Sequence, residues 1–335
     1  MFLFDKDTDK EIVVIAEVGM NHGGSVEWVK EIIPKLKEAG VDAVKFQLFT
    51  PSLFISPSNK LRFEQVSKRA LSRTQFEEIY DFCQDFELSV FATAVSHDWV
   101  PFIATKCGVL KIASGDFVFS PTIDSALRSN AKLVVSTGAT TREEIKEFVQ
   151  KAKRMRPGNH YHESIGILHC ISSYPPKLEQ ANLNAIPDLK NLSGLTVGFS
   201  SHFMEDAPIY ASLALGARIF EIHVTNDRNQ TDFRDHALSR TPEELGTLIS
   251  SLNKISQSLM LKEKSIQPDE QENQLSLRKG LTYSQSFALG HLINESDISF
   301  ARPANPEIHN IAQVIGRKLN RNVQAHDPIS MGDFF

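Results

Sequence analysis

Two lysines, two histidines and several carboxylates stand in this chain where apolar residues would be expected. Lys45 lies inside the run VDAVKFQ and Lys111 inside VLKIA; His202 ends VGFSSH and His223 ends FEIH. Glu17 closes IVVIAE, and Glu221 sits within FEIH. Burying a charge without a partner is costly, so charges at such places are rarely accidental. The two lysines, with hydroxyls from Thr93, Ser114, Ser136 and Ser200, suit an anion, such as a phosphate plus a carboxylate. Gly115 and Gly138 would let backbone N–H groups approach it closely. Two imidazoles on neighbouring strands can share one divalent cation and leave positions open for water and substrate, as a Lewis-acid site requires. Spacing alone equally allows two unconnected histidines. Glu17, Glu221 and Asp235 are candidate acids, bases or hydroxyl anchors. Each lysine also has a plain reading, as a snorkelling side chain or the partner of a carboxylate.

The elements that would position these groups alternate in a regular way. Short β-branched runs at 12–16, 41–48, 88–93, 109–113, 132–137, 165–170, 195–199 and 218–223 read as strands. They are almost continuously apolar, as parallel strands covered on both faces are. Between and after them, 26–39, 74–86, 98–106, 121–129, 142–155, 182–189, 207–215 and 242–261 read as helices. In the first, Val26, Val29, Ile33 and Leu36 recur at helical spacing, and Gly40 sits just past the end. Eight βα units in series predict a closed (β/α)₈ TIM barrel, with an open doubly wound sheet as the other possibility. In a parallel barrel, ligands bind at the C-terminal ends of the strands. The polar residues gather at those ends in all eight units and are scarce at strand starts. Glu17 and the loop GMNHGG end the first, Gln47 the second and Ser136-Thr137-Gly138 the fifth. His169, with Ser172, Ser173 and Tyr174, ends the sixth.

The 335 residues exceed one such barrel, and a change of texture marks the remainder. KEKSIQPDEQEN is polar and reads as a linker, giving a barrel over 1–261, a linker over 262–275 and a small, mostly β module over 276–335. With 41% hydrophobic and 23% charged residues the chain is globular. Its net charge of −5 gives no reason to expect nucleic acid or an anionic membrane as partner. No apolar run reaches the roughly 18 residues of a membrane span. The N-terminus lacks a signal-peptide layout. Cys83, Cys107 and Cys170 are far apart and read as buried small hydrophobes in a reducing compartment, which points to the cytoplasm.

In order along the chain, IAEVGMNHGG, VDAVKFQ, FATAVS, LKIASGD, VVSTGA, LHCISSYP, VGFSSH, FEIHVT and RDHALSRTPEEL resemble the motifs of the sialic acid (nonulosonic acid) synthase family. LRKGL, FALGHLI, DISFARPAN and IGRKL resemble the antifreeze-like SAF domain that follows the barrel in that family. The likeness spans nearly the whole chain. It implies a transferase that joins phosphoenolpyruvate to an N-acylated amino-sugar aldehyde. The acceptor would be N-acetylmannosamine or a 2,4-diacetamido-trideoxyhexose. Carried over by motif, Lys45, Thr93, Lys111, Ser114, Ser136 and Ser200 would hold phosphoenolpyruvate. His202 and His223 would bind Mn²⁺ or Mg²⁺. Glu17, Gln47, Ser172, Tyr174, Glu221 and Asp235 would surround the sugar and the reacting atoms. Arg302 would reach the N-acyl group from the partner subunit of a domain-swapped homodimer. C3 of phosphoenolpyruvate would attack the aldehyde carbon, water would add at C2, and phosphate would leave by C–O cleavage, with Glu17 and Glu221 moving protons.

The sequence departs from the family's usual pattern at three places. It has Ser172-Ser173-Tyr174-Pro175 where neuraminate synthases usually read Asn-x-Tyr-Pro, which looks more like the pseudaminic or spore-coat branches. Ser200-Ser201-His202 replaces the usual Ser-Asp-His, and RPANP replaces RPGNG. These departures bear on the acceptor sugar rather than on the reaction class. Two rival readings are a Schiff-base aldolase using Lys45 or Lys111 as nucleophile and a non-catalytic sugar- or ice-binding protein built on the SAF module.

Overall fold

The computed structural model describes residues 1–230, 233–260, 263–303, 305, 307–308 and 310–335. Eight parallel strands close into a barrel: β1 (Val13–Gly19), β2 (Ala43–Leu48), β3 (Ser89–Ala94), β4 (Val109–Ile112), β5 (Lys132–Ser136), β6 (Ile165–Cys170), β7 (Thr196–Ser201) and β8 (Ile219–His223). β8 pairs back onto β1, so no strand edge is left open. The closed barrel, not the open sheet, is the observed architecture.

The inward side of each strand changes chemistry partway along. Val13, Ile15, Ala43, Phe91, Val109, Val134, Leu168 and Ile219 form one buried apolar layer at the N-terminal end. Two residues further on, the same strands carry Glu17, Lys45, Thr93, Lys111, Ser136, Cys170 and Glu221, and these line the cavity at the C-terminal end. The intervening residues, such as Val14, Val44, Phe46 and Leu133, face the helices in the main core. A short antiparallel pair, Phe2–Leu3 with Lys6–Asp7, accompanies the apolar end. Leu3 is fully buried there, with Met1 and Phe4 packed against the layer.

Among the described residues of the barrel part of the chain, the helices of eight residues or more are α1 (Val26–Ala39), α2 (Lys60–Ser67), α3 (Arg73–Asp85), α4 (Val100–Cys107), α5 (Ser120–Arg128), α6 (Arg142–Met155), α7 (Ala185–Ser193), α8 (Ala207–Ala214) and α9 (Pro242–Ser258). Ser25 caps α1 by accepting from Trp28 N–H, and Thr141/Glu144 and Thr241/Glu244 form capping boxes on α6 and α9. Each such cap contributes about 1 kcal/mol. α7 starts and ends later than the expected 182–189, because Pro187 is tolerated in a first turn and Gly194 supplies the left-handed stop. α2 lies in the long connection between β2 and α3, where no helix was expected. No helix among the described residues is long and apolar enough to cross a membrane.

The chain divides into two compact units, Met1–Met260 and Leu261–Phe335. Residues 261 and 262, where the linker was expected to begin, lie outside the described residues. Part of the expected linker is helical: α10 (Pro268–Leu277) starts at a capping box between Gln267 and Glu270, with Pro268 at its first position. In the second unit β9 (Gly280–Tyr283) pairs antiparallel with β10 (Ile298–Ala301). Isolated bridges such as Phe287 to Val323 and Leu319 to Phe334 extend the β character. Tyr283, Val314, Leu319 and Ile329 are fully buried at the centre of its core.

Candidate active site at the C-terminal mouth of the barrel

Register brings the charged groups together. Glu17 on β1 lies opposite Lys45 on β2 and opposite His223 on β8. Ser200 on β7 lies opposite Glu221 on β8. The inward side chains at this level bound a cavity of about 370 Å³, whose lining draws on all eight strands or the loops after them. Glu17, Lys45, Gln47, Thr93, Lys111, Ser136, Ser200, Glu221 and His223 come from the strands themselves. Ser114, Ser172, Tyr174 and His202 come from the connections that follow, and Asp235 opens a short helix, Asp235–Leu238, after β8. Arg302 belongs to the second unit, exposed just past β10. Residues 304 and 306 of its RPANP string lie outside the described residues.

The floor holds two ammonium groups and two carboxylates. Lys45 Nζ is 2.7 Å from Glu17 Oε2 and 3.6 Å from Glu221 Oε2, and it donates to Thr93 Oγ1 at 2.9 Å. Lys111 Nζ is 3.5 Å from Glu221 Oε2 and donates to Ser136 Oγ at 2.7 Å. Gln47 Nε2 donates to Glu17 Oε1 and Ser200 Oγ to Glu221 Oε1. All four charged side chains are buried, which is tolerable only because each has an opposite charge and hydrogen bonds. Burial alone would lower Lys45, but Glu17 and Glu221 outweigh it and hold it above its ordinary value. Burial dominates at Lys111, which falls below its ordinary value although Glu221 pulls the other way. Burial would raise Glu221, yet Lys111 and Lys45 hold it below the usual carboxylate range. The lysines therefore pair with carboxylates, as their plain reading has it, and they also line the cavity.

The hydroxyl side is tightly built. Gly138 N–H donates to Ser114 Oγ at 2.9 Å. A Cβ at position 138 would lie 2.2 Å from Ser172 Oγ and 2.7 Å from Ser114 Oγ. Only glycine lets the loops after β4, β5 and β6 converge there.

The two imidazoles are neighbours, with ring centroids 5.2 Å apart. His202 Nδ1 lies 2.9 Å from the Ile171 carbonyl oxygen, which fixes the hydrogen on Nδ1 and leaves Nε2 with a lone pair. Burial first, and then His223, press His202 down to about 3, so the ring is neutral at physiological pH. Tyr174 lies against it, with centroids 4.1 Å apart. His223 Nδ1 is buried without a hydrogen-bond partner, 4.0 Å from Asp235 Oδ2. Two neighbouring imidazoles, one with an oriented lone pair and the other with an unpartnered ring nitrogen, fit a divalent cation. Among the described residues no group of three His, Cys, Asp or Glu side chains forms a closed cage, so this pair would leave positions open for other ligands.

Some polar strand-end residues face elsewhere. His169 points outward, its Nε2 2.8 Å from the Ala181 carbonyl oxygen. Asn21 donates to the Val224 carbonyl and to Ser239, tying the loop after β1 to the loop after β8. His22 accepts from Gly24 N–H and packs on Phe46, and burial pushes it down to about 4. Conversely, Met20, Phe54, Arg62, Phe233 and Arg234 line the cavity although sequence reasoning did not single them out. Asp116, which the sequence reading placed with Ser114 among the polar residues after the fourth strand, lines it too. Phe54 and Arg62 carried no signal in the sequence, because a loop's reach depends on how it packs.

A protein-family model described as the NeuB family matches residues 32–264. This chain belongs to the NeuB family. A second model, the SAF domain, matches residues 278–334. The NeuB-family chain is 32% identical to an uncharacterized protein of Methanocaldococcus jannaschii, over 96% of this chain and 94% of that one. It is 27% identical to N,N'-diacetyllegionaminic acid synthase of Legionella pneumophila, over 93% of this chain and 91% of the relative. The solved N-acetylneuraminic acid (sialic acid) synthetase of Leptospira borgpetersenii, in complex with citrate, superposes with a TM-score of 0.73. It is 28% identical and covers 78% of this chain and 90% of its own.

Proposed function

We propose that this NeuB-family chain is a cytoplasmic nonulosonic acid synthase, a transferase that condenses phosphoenolpyruvate with an N-acylated amino-sugar aldehyde and releases inorganic phosphate. The single observation that carries this reading is the meeting of Lys45, Lys111, Glu17, Glu221, His202 and His223 in one cavity. Relatives that make N,N'-diacetyllegionaminic acid, pseudaminic acid and N-acetylneuraminate 9-phosphate support the product class.

Lys45 and Lys111, with Thr93, Ser114, Ser136 and Ser200, hold the carboxylate and phosphate of phosphoenolpyruvate by charge-assisted hydrogen bonds. Gln47, Ser172, Tyr174 and Asp235 surround the acceptor. His202 and His223 would hold Mn²⁺ or Mg²⁺, which supplies Lewis-acid polarisation of the acceptor carbonyl when bound. C3 of phosphoenolpyruvate forms the new bond to the aldehyde carbon, whose oxygen takes up a proton. Water adds at C2 and gives up a proton, and the C2–O bond to phosphate breaks. Glu17 and Glu221, 2.7 and 3.6 Å from Lys45 Nζ, would move those protons. Arg302 would be contributed by the partner subunit of a domain-swapped homodimer and reach the N-acyl group.

The test is phosphate release from phosphoenolpyruvate with a panel of N-acyl hexosamines, using enolic-oxygen-labelled substrate to locate the cleaved bond. We expect release that depends on a divalent cation, with the label in phosphate. Sustained turnover in excess chelator overturns the reading. The lowered Lys111 is the one observation that favours a Schiff-base aldolase. Borohydride inactivation in the presence of pyruvate would support that alternative.

A further inference from the structure

The floor of the cavity is electrically closed on itself, with Lys45 and Lys111 against Glu17 and Glu221. Nearer the mouth, Arg234 is committed as well. Its guanidinium lies 4.4 Å from the centre of the Tyr174 ring, and its Nε is 3.3 Å from Asp235 Oδ1. Arg62 differs from both. It lines the same cavity, and among the described residues no carboxylate pairs with its side chain. Asp116 lines the same cavity, but among the described residues no ion pair or hydrogen bond joins it to the Arg62 guanidinium.

The backbone that carries Arg62 is held in place, while the side chain is exposed. The Arg62 backbone N–H donates to Asn59 Oδ1 at the start of α2. One turn on, Val66 is buried against Met20 and Phe49, with Phe54 and Phe233 at the edge of that cluster. At the far end of α2 the Lys68 carbonyl oxygen comes so near Gly24 that a Cβ there would lie 2.4 Å from it. The helix is therefore seated on the loop after β1, and its first turn presents a guanidinium to the cavity. A guanidinium is a permanent cation whose donor fork matches a carboxylate or a phosphate.

We infer that Arg62 reads an anionic substituent, a phosphate or a carboxylate, carried by the acceptor at the end remote from its reacting carbonyl. The inference rests on the synthase reading above. The reacting groups sit at the floor, so the far end of an extended acceptor faces the mouth. Among the described residues, every other lysine and arginine of the lining already has a carboxylate beside it. Among the described residues of the lining, Arg62 is the unmatched lysine or arginine that a second anion on the acceptor would meet.

The experiment compares the full-length wild type with Arg62→Gln and Arg62→Lys, at saturating phosphoenolpyruvate and divalent cation. Three acceptors are used: N-acetylmannosamine, its 6-phosphate and the corresponding 6-carboxylate. Phosphate release is followed in each case. We expect the wild type to prefer one of the two anionic acceptors over the neutral one by about tenfold or more in kcat/KM, and the two arms identify which anion. Arg62→Gln should abolish that preference through acceptor KM rather than kcat, and Arg62→Lys should restore part of it. Equal use of neutral and anionic acceptors by the wild type overturns the inference and leaves the synthase reading standing. So does a loss in Arg62→Gln that falls on the KM for phosphoenolpyruvate. No release with any acceptor overturns both.

Discussion

Glu17 and Lys45 sit side by side on adjacent barrel strands, Oε2 to Nζ 2.7 Å, with each side chain only 2% exposed. Removing one member of such a pair strands the other in a low-dielectric interior. Lys45→Met should therefore lower the unfolding free energy by about 3–5 kcal/mol. Adding Glu17→Gln to it should recover part of that loss. Urea denaturation of the two variants measures both, and a Lys45→Met protein as stable as the wild type would contradict the buried pairing.

His202 presents a neutral ring whose Nδ1–H is held by the Ile171 carbonyl. If that ring is a metal ligand, His202→Ala should weaken Mn²⁺ binding by about 100-fold or more, judged against the 10–100-fold typical of losing only an outer partner. Calorimetric titration reads this without reference to turnover. Affinity within twofold of wild type would remove His202 from the ligand set.

Gly138→Ala should act on catalysis rather than on folding. The added Cβ must displace Ser114 and Ser172, whose hydroxyls lie 2.7 and 2.2 Å from its position. A shift of about 1 Å among positioning groups costs on the order of 100-fold in rate. We expect kcat/KM to fall by that order while the circular dichroism spectrum stays native. Wild-type kcat/KM in the alanine variant would show that this convergence does not position substrate.

Arg156 tests the scaffold away from the cavity. Its guanidinium is buried and donates to the carbonyls of Ala126, Leu127, Ser129 and Ala131 and to Ser164 Oγ. It thereby satisfies the C-terminal end of α5 and the entry to β5. Burial lowers it only to about 10, so it stays charged at neutral pH. Arg156→Met leaves several carbonyls unsatisfied and should cost about 3–5 kcal/mol. Turnover per folded molecule should not change, and a stability loss below 1 kcal/mol would refute the assignment.

Asp116 supplies a pH signature. Burial raises its folded-state carboxyl from 3.8 to about 6. The folded state thus binds the proton more tightly, and this contribution to stability is lost as pH rises through about 6. Asp116→Asn should accordingly stabilise the protein at pH 7, by at most about 1 kcal/mol once solvent screening is allowed for, and leave it unchanged at pH 4. Thermal melts at the two pH values decide it, and a gain at pH 4 that vanishes at pH 7 would reverse the sign.

The Lys45, Lys111 and Glu221 positions were legible because a charge within a near-continuous apolar strand has few places to go. In a barrel it faces either helices or lumen. His169 shows the limit of that logic. It ends a strand as His223 does, yet it falls on the outward side and bonds to the Ala181 carbonyl. Asn21 and His22 likewise stand among the polar residues that follow the first strand, and they fasten and fill around the loop after β1. A polar residue at a strand end signals proximity to the mouth, but its side of the sheet depends on register.

By itself, the sequence determined the eightfold βα order, the second β module and the inventory of charged, hydroxyl and imidazole groups at one end of the strands. Those follow from local rules: period-two and period-3.6 burial, capping residues and the cost of an unpartnered charge. Tertiary structure alone decided that Lys45 pairs with Glu17, that Gly138 pinches Ser114 toward Ser172, and that Arg62 and Phe233 reach the rim. It also placed Leu3 in the apolar layer at the opposite end. These relations join residues far apart in the chain, and strand register and loop packing set them only once the barrel has closed.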